Sequence, residues 1–214
     1  YQNNADALEY IVTEFLPANP GSAFLGSEEL LALAAPEHYW QATEAELDAI
    51  ARWLLQEWGA APPPYASDGR EFYSLRDATG LLAAALTEQA NRGLFPEQQE
   101  IILFSGPLEA VAPAEGLTLS ASEIYQLAEQ INRLLAASDG PWQLSPGNIL
   151  PGSFSVSVGE INAAQALYAL AMLYASSYAG TPVSAVEIPA SQPLPETHAL
   201  LDAIGCWDCY DSAW

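Results

Sequence analysis

Side chains able to do covalent or metal chemistry are few in these 214 residues. Two cysteines, Cys206 and Cys209, stand in Cys-Trp-Asp-Cys; the two histidines are His38 and His198. The cysteine spacing reads first as a short local disulfide, which fits an exported protein. Free or redox thiols come second, since a thioredoxin-type pair belongs beside a βαβ pattern and this one sits at the C-terminal end. Zinc comes last, because a structural site takes four ligands and only His38 and His198 could add nitrogen. A nucleophilic triad takes Ser or Cys with a His and an orienting acid. His38 lies in Pro36-Glu-His-Tyr-Trp40 and His198 at a Pro-flanked acidic helix start, so both read as surface or capping residues. There is no Gly-x-Ser-x-Gly elbow, phosphate loop or dinucleotide fingerprint. Paired carboxylates roughly 5–10 Å apart hydrolyse glycans. With 27 acidic residues any fold offers such pairs by accident, and those at expected helix starts are explained by capping. The expectation is a chain that is not an enzyme.

Charge narrows the partners. Against the 27 acids stand five arginines and no lysine, a formal net charge of −22. Phosphate binding depends on clustered cations, so nucleic acid is excluded as a partner, and an anionic membrane surface is disfavoured for the same reason. Half of the residues are hydrophobic and only 15% are charged, which gives a folded core and not an acidic tail. No apolar run reaches the roughly 18 residues of a membrane span; the Ala-rich stretch 163–175 is shorter and carries Gln165. No membrane insertion is expected. The acidic excess keeps a surface soluble, or gives affinity for cations such as calcium or for neutral or basic wall polymers. No stretch matches the twelve-residue calcium loop, so no cofactor is assigned. The chain starts at Tyr1 without an apolar signal core, which reads as a processed mature form or an excised segment.

Aromatic residues are the remaining candidates for recognition. Trp53 and Trp58 fall on a helix and read as core packing. Tyr65 and Trp142 lie in Pro-rich linkers, where a ring either folds back over its own repeat, the first reading, or stays exposed and can stack on a sugar or a partner chain.

The elements that must position these residues repeat. Asn4, Thr43 and Ser120 are each good helix N-caps, and Thr43 with Glu46 and Ser120 with Glu123 have capping-box spacing. Behind them Leu8, Leu47 and Ile124 align, then Ile11, Ile50 and Leu127, then Val12, Ala51 and Ala128, then Phe15, Leu54 and Ile131, one amphipathic stripe in three copies. Each first helix ends in a Pro/Gly-rich linker. Short extended stretches follow: Ala23-Phe-Leu25, Glu71-Phe-Tyr-Ser74 and Phe154-Ser-Val-Ser-Val158. Second helices then open on Glu28–Glu29, Asp77 and Glu160, acids that suit a helix N-terminus. Ser74 with Asp77 and Ser157 with Glu160 again have capping-box spacing. Further strands are expected at Glu100-Ile-Ile-Leu-Phe104 and Val183-Ser-Ala-Val-Glu-Ile188.

The pattern resembles the pseudomurein-binding repeat, most clearly in Ser122-Glu-Ile-Tyr-Gln-Leu-Ala, Phe154-Ser-Val-Ser-Val-Gly-Glu-Ile and Ala166-Leu-Tyr-Ala-Leu-Ala171. The resemblance implies a non-catalytic anchoring module of surface and wall-lytic proteins.

The fold expected is mainly α with short β-strands: three tandem helix–linker–strand–helix repeats packed into one compact or solenoid-like unit. The units are residues 1–37, 38–106 and 107–192, the last two each including a following strand, with a C-terminal segment 193–214 carrying the CxxC. The function expected is extracellular and structural or adhesive at the cell surface: attachment to an envelope polymer, or assembly with copies of itself into a surface layer or filament. The alternative is the non-catalytic, substrate-anchoring arm of a larger secreted cell-wall hydrolase.

Overall fold

Four helices among the described residues begin where the sequence supplies a side-chain oxygen for an orphan backbone amide. The structure, a computed structural model, describes residues 13–14, 41–101, 104, 106–136 and 149–194. Apart from 13–14 these belong to one unit, residues 40–214. Its elements run β1 (Gln41–Thr43), α1 (Glu44–Glu57), β2 (Ala66–Ser67), β3 (Phe72–Tyr73), α2 (Leu75–Arg92), β4 (Gln98–Glu100), β5 (Leu117–Ser120), α3 (Ala121–Ala136), β6 (Ser153–Val156), β7 (Gly159–Asn162), α4 (Ala163–Tyr178) and β8 (Ala185–Ile188).

Both expected capping boxes of the first helices are present. The Thr43 hydroxyl accepts from the Glu46 amide at 3.3 Å while the Glu46 carboxylate accepts from the Thr43 amide at 2.8 Å. Ser120 and Glu123 make the same pair of bonds, at 3.3 and 2.8 Å. The Asn4 cap and the first unit's helices lie outside the described residues.

The second helices divide. Ser74 caps α2 as expected, its hydroxyl accepting from the Asp77 amide at 3.0 Å. The Asp77 carboxylate also accepts from the Phe104 amide at 2.8 Å, which ties the chain after β4 to the start of α2. The expectation at Ser157 and Glu160 is corrected. Helix α4 starts later, capped by Asn162, whose side chain accepts from Gln165 N at 2.9 Å in its own capping box. Glu160 belongs to β7, and its carboxylate accepts from Ser153 across the hairpin at 2.6 Å. The reason is Gly159, whose φ of 139° bends the chain tightly enough for the alternating run to pair with itself before any helix begins. The strand expected at 100–104 likewise sits earlier, at Gln98–Glu100, where it pairs with β1.

Residues 41–100 and 117–188 therefore share one order: strand, helix, hairpin, helix, strand. In each stretch the last strand returns antiparallel to the first, β4 on β1 and β8 on β5, and the middle strands form a hairpin, β2–β3 and β6–β7. The helices cross between the stretches. Helix α1 packs chiefly on α4, and α2 on α3 and then α4; the pair within the first stretch, α1 with α2, meets far less. One core results, with Leu47, Ile50 and Leu54 of α1, Leu81, Leu82 and Leu86 of α2, Ile124, Leu127 and Ile131 of α3, and Tyr174 of α4 all buried in it. Those of α1 and α3 are the stripe positions read from the sequence.

Two buried polar anchors lock the loops to this core. Gln165, fully buried, donates from Nε2 to the carbonyls of Glu115 (2.8 Å) and Pro189 (3.0 Å). The buried Arg76 guanidinium donates to the Gly106 carbonyl. Each satisfies groups that would otherwise be buried without a partner.

Glu123 adds a pH dependence. Its carboxylate accepts from the Ser120 hydroxyl at 2.6 Å, from the Ser157 hydroxyl and from the Ser120 amide. These bonds favour the charged form and hold its pKa at about 2, below the ordinary glutamate value. A depressed folded-state pKa contributes stability above the unfolded-state value that is lost as pH falls towards the folded one. Between the ordinary glutamate range and pH 2, the thermal midpoint of the wild type should therefore fall more steeply than that of Glu123→Gln. Parallel pH–stability curves would refute this role.

Candidate functional site

The β2–β3 hairpin places two aromatic rings outside the core. Ala66 pairs with Tyr73 and Ser67 with Phe72. Because side chains alternate along a strand, Ala66 and Tyr73 turn inward and are buried, while Phe72 turns outward and is 72% exposed. Tyr65, one residue before β2, lies in phase with Phe72 and is 40% exposed. The turn between the strands is held by Asp68, whose Oδ1 accepts from the amides of Arg70 (2.8 Å) and Glu71 (2.7 Å). The Ser67 hydroxyl donates to the Glu71 carbonyl at 2.7 Å and accepts from the Gly69 amide. On the inner face Tyr73 has its phenol pushed well above the usual range, first by burial and then by the neighbouring charges of Asp68 and Glu71.

The rings form a strip. Trp53, half-buried on α1, stacks on Tyr65 with centroids 4.9 Å apart and planes 23° apart. Tyr65 meets Phe72 edge to face, at 5.0 Å and 89°. Such pairs stabilise by about 0.5–1.5 kcal/mol beyond their burial, so Trp53 and the hairpin hold each other in place. Phe72 is the outermost ring.

Counting from the N-caps isolates what is special here. Phe72 stands two residues before Ser74, and Glu160 two before Asn162; Trp53 stands ten after Thr43, and Gln130 ten after Ser120. The second stretch builds the same elements with Glu and Gln at these places. The ring contacts that hold the first hairpin to its helix are therefore not repeated at these places of the second stretch.

A cleft of about 740 Å³ lies between segments 107–115, 149–153 and 160–162. Among the described residues its polar side chains are the carboxylates of Glu109, Glu115 and Glu160, the Ser153 hydroxyl and the Asn162 amide. Ser153 already donates to Glu160. The three carboxylates offer acceptors for hydrogen bonds.

Of the residues singled out in the sequence, Tyr65 is exposed and stacked as described. Trp142, Cys206, Cys209, His38 and His198 lie outside the described residues. Trp58 packs edge to face on Tyr168, with centroids 5.1 Å apart. Phe72 was legible only as part of an extended stretch, and Trp53 reads from the sequence as core; the outward phase of Tyr65 and Phe72 is the signal that links them. Among the described residues no three His, Cys, Asp or Glu side chains are grouped to hold a metal ion, and no helix is long and apolar enough to cross a membrane. No family model matches the chain, nor does any curated protein or solved structure.

Proposed function

We propose that the chain is a non-catalytic, extracellular structural or adhesive module that attaches to an envelope polymer, built from tandem copies of one strand–helix–hairpin–helix–strand repeat. The observation that carries this reading is the strip of half-buried Trp53 and exposed Tyr65 and Phe72, with Gln130 and Glu160 at the places that match Trp53 and Phe72 in the other stretch. A large exposed ring is costly in water and is commonly kept for contact with a partner. Divergence between copies that keep the same core is what a repeat protein shows when one copy has taken on recognition. The resemblance to pseudomurein-binding repeats agrees with an anchoring role.

The test is co-sedimentation of the purified chain with isolated envelope material. Wild-type protein is expected in the pellet and the Tyr65→Ala/Phe72→Ala variant largely in the supernatant, with unchanged circular dichroism. Wild type left wholly in the supernatant would sink the attachment reading. Self-assembly is the second reading, favoured by ladders of only two strands among the described residues, each with outer edges. Sedimentation velocity that stays monomeric as concentration rises would eliminate it.

A further inference from the structure

The two stretches complete each other's core more than their own. Helix α1 lies chiefly against α4, and α2 against α3 and then α4, while α1 and α2 hardly meet. The bonds between helices follow the same division. Tyr125 of α3 donates from its hydroxyl to Gln89 Oε1 of α2 at 2.7 Å, and Tyr174 of α4 to the Glu44 carbonyl of α1 at 3.2 Å. Phe95, just after α2, packs on Tyr174 with ring centroids 4.5 Å apart. One covalent connection joins the stretches. It is pinned at both ends, by Arg76 on the Gly106 carbonyl and by the paired backbones of Ala114 and Ser191 at 3.0–3.1 Å. Between these anchors residues 108–113 belong to no helix or strand, and all but the half-buried Val111 are exposed.

Contacts made between two stretches do not require that both belong to one chain. Resting on the self-assembly reading, and giving it a contact, we propose that the partner of this chain is a second copy of itself, engaged by exchange. The β1–β4 stretch of one copy closes on the β5–β8 stretch of the other, and the reverse. Each core so formed keeps the apolar and aromatic contacts of the single chain, so the link decides between the two forms. Fully extended, residues 108–113 span about 20 Å, roughly twice the 8–10 Å between packed helix axes, which lets the stretches part. Reciprocal exchange closes a dimer, and exchange passed on to a third copy gives an open chain of copies. The charge of −22 on each copy opposes the encounter. Salt screens it, to a range of about 8 Å at 0.15 M, so exchange rises with ionic strength.

The test mixes full chains that each carry one charge in the core. Leu47 and Leu82 lie in the first stretch and Leu127 in the second, all fully buried, so Leu47→Asp, Leu82→Asp and Leu127→Asp should each melt well below the wild type. Leu47→Asp and Leu127→Asp are refolded together from denaturant at about millimolar concentration, where a second copy competes with the effective concentration that a short link gives. Exchange between them leaves one core of a mixed dimer free of substitutions. A melting transition at the wild-type midpoint is therefore expected, in a species of twice the chain mass. Leu47→Asp with Leu82→Asp is the control: both changes lie in the first stretch, so every exchanged core keeps a charge and that transition is absent. Its appearance in both mixtures would overturn the proposal, and so would its absence from both. If wild type still forms oligomers when the first mixture regains nothing, self-assembly stands, through strand edges, and exchange is refuted. With wild type monomeric as well, both fall.

Discussion

A fragment of residues 40–106 is expected to remain unfolded in water, although it contains β1 to β4 and both helices between them. The buried faces of α1 and α2 point mainly to α3 and α4 and hardly to each other. Leu47, Ile50, Leu54, Leu81, Leu82 and Leu86 are fully or almost fully buried in the shared core. At about 1.5–3 kcal/mol for each large aliphatic side chain, their burial contributes about 9–18 kcal/mol. That is of the same size as the whole net stability of a typical domain, about 5–15 kcal/mol. The fragment cannot recover it, because the partner helices are absent. Far-UV circular dichroism and amide exchange of the fragment against the full chain decide the matter. A cooperative melt in the isolated fragment would show that each stretch folds alone and that the crossing of helices is secondary.

The second large effect reverses an ordinary rule. Gly80 stands inside α2, where replacing glycine with alanine normally stabilises a helix by about 0.5–1 kcal/mol. Here a Cβ on Gly80 would come within 2.4 Å of Phe104 Cε2 and 2.8 Å of Cδ2. The Phe104 ring is buried, and its backbone amide is fixed by Asp77, so the ring has little freedom to yield. Gly80→Ala is expected to lower the unfolding free energy by about 1–3 kcal/mol, the usual cost of overpacking. The double variant Gly80→Ala/Phe104→Leu should recover part of it by making room. Denaturant unfolding of the three proteins checks both statements, and a stabilised Gly80→Ala would show that the ring is not held against the helix.

These effects mark where sequence and structure part. The first-helix stripes and the Thr43 and Ser120 caps are local signals: a hydroxyl, a glutamate three residues on, and apolar positions at helical spacing. They are legible because cap and stripe are satisfied within one helix. The hairpins are less so. Strands of two residues, such as Ala66–Ser67 and Phe72–Tyr73, are too short for alternation to register, and their pairing is set by the Asp68 and Ser67 bonds across the turn. The late start of α4 depends on Gly159 letting β6 fold back on β7, while Ser157 and Glu160 carry a cap spacing that the chain uses otherwise. The crossing of α1 onto α4 and α2 onto α3 is a tertiary choice, invisible in any one helix because both faces of the choice are apolar.

The aromatic strip was half legible. Tyr65 stands out beside Pro62-Pro63-Pro64, but a tryptophan on an amphipathic helix reads as core, and Trp53 is in fact half core and half support for Tyr65. Phe72 is hidden inside a hydrophobic dipeptide of which one ring goes in and the other out. Only the register of the hairpin separates them.

The claim that Trp53, Tyr65 and Phe72 form the face that meets a partner is tested most directly by residue-resolved NMR on the full chain as solubilised envelope material is added. Shifts or broadening confined to the Trp53 indole and to residues 65–73, absent in Phe72→Ala, are the predicted result. Perturbation centred on the cleft at 107–115 and 149–153, with the Trp53 indole unmoved, would contradict it.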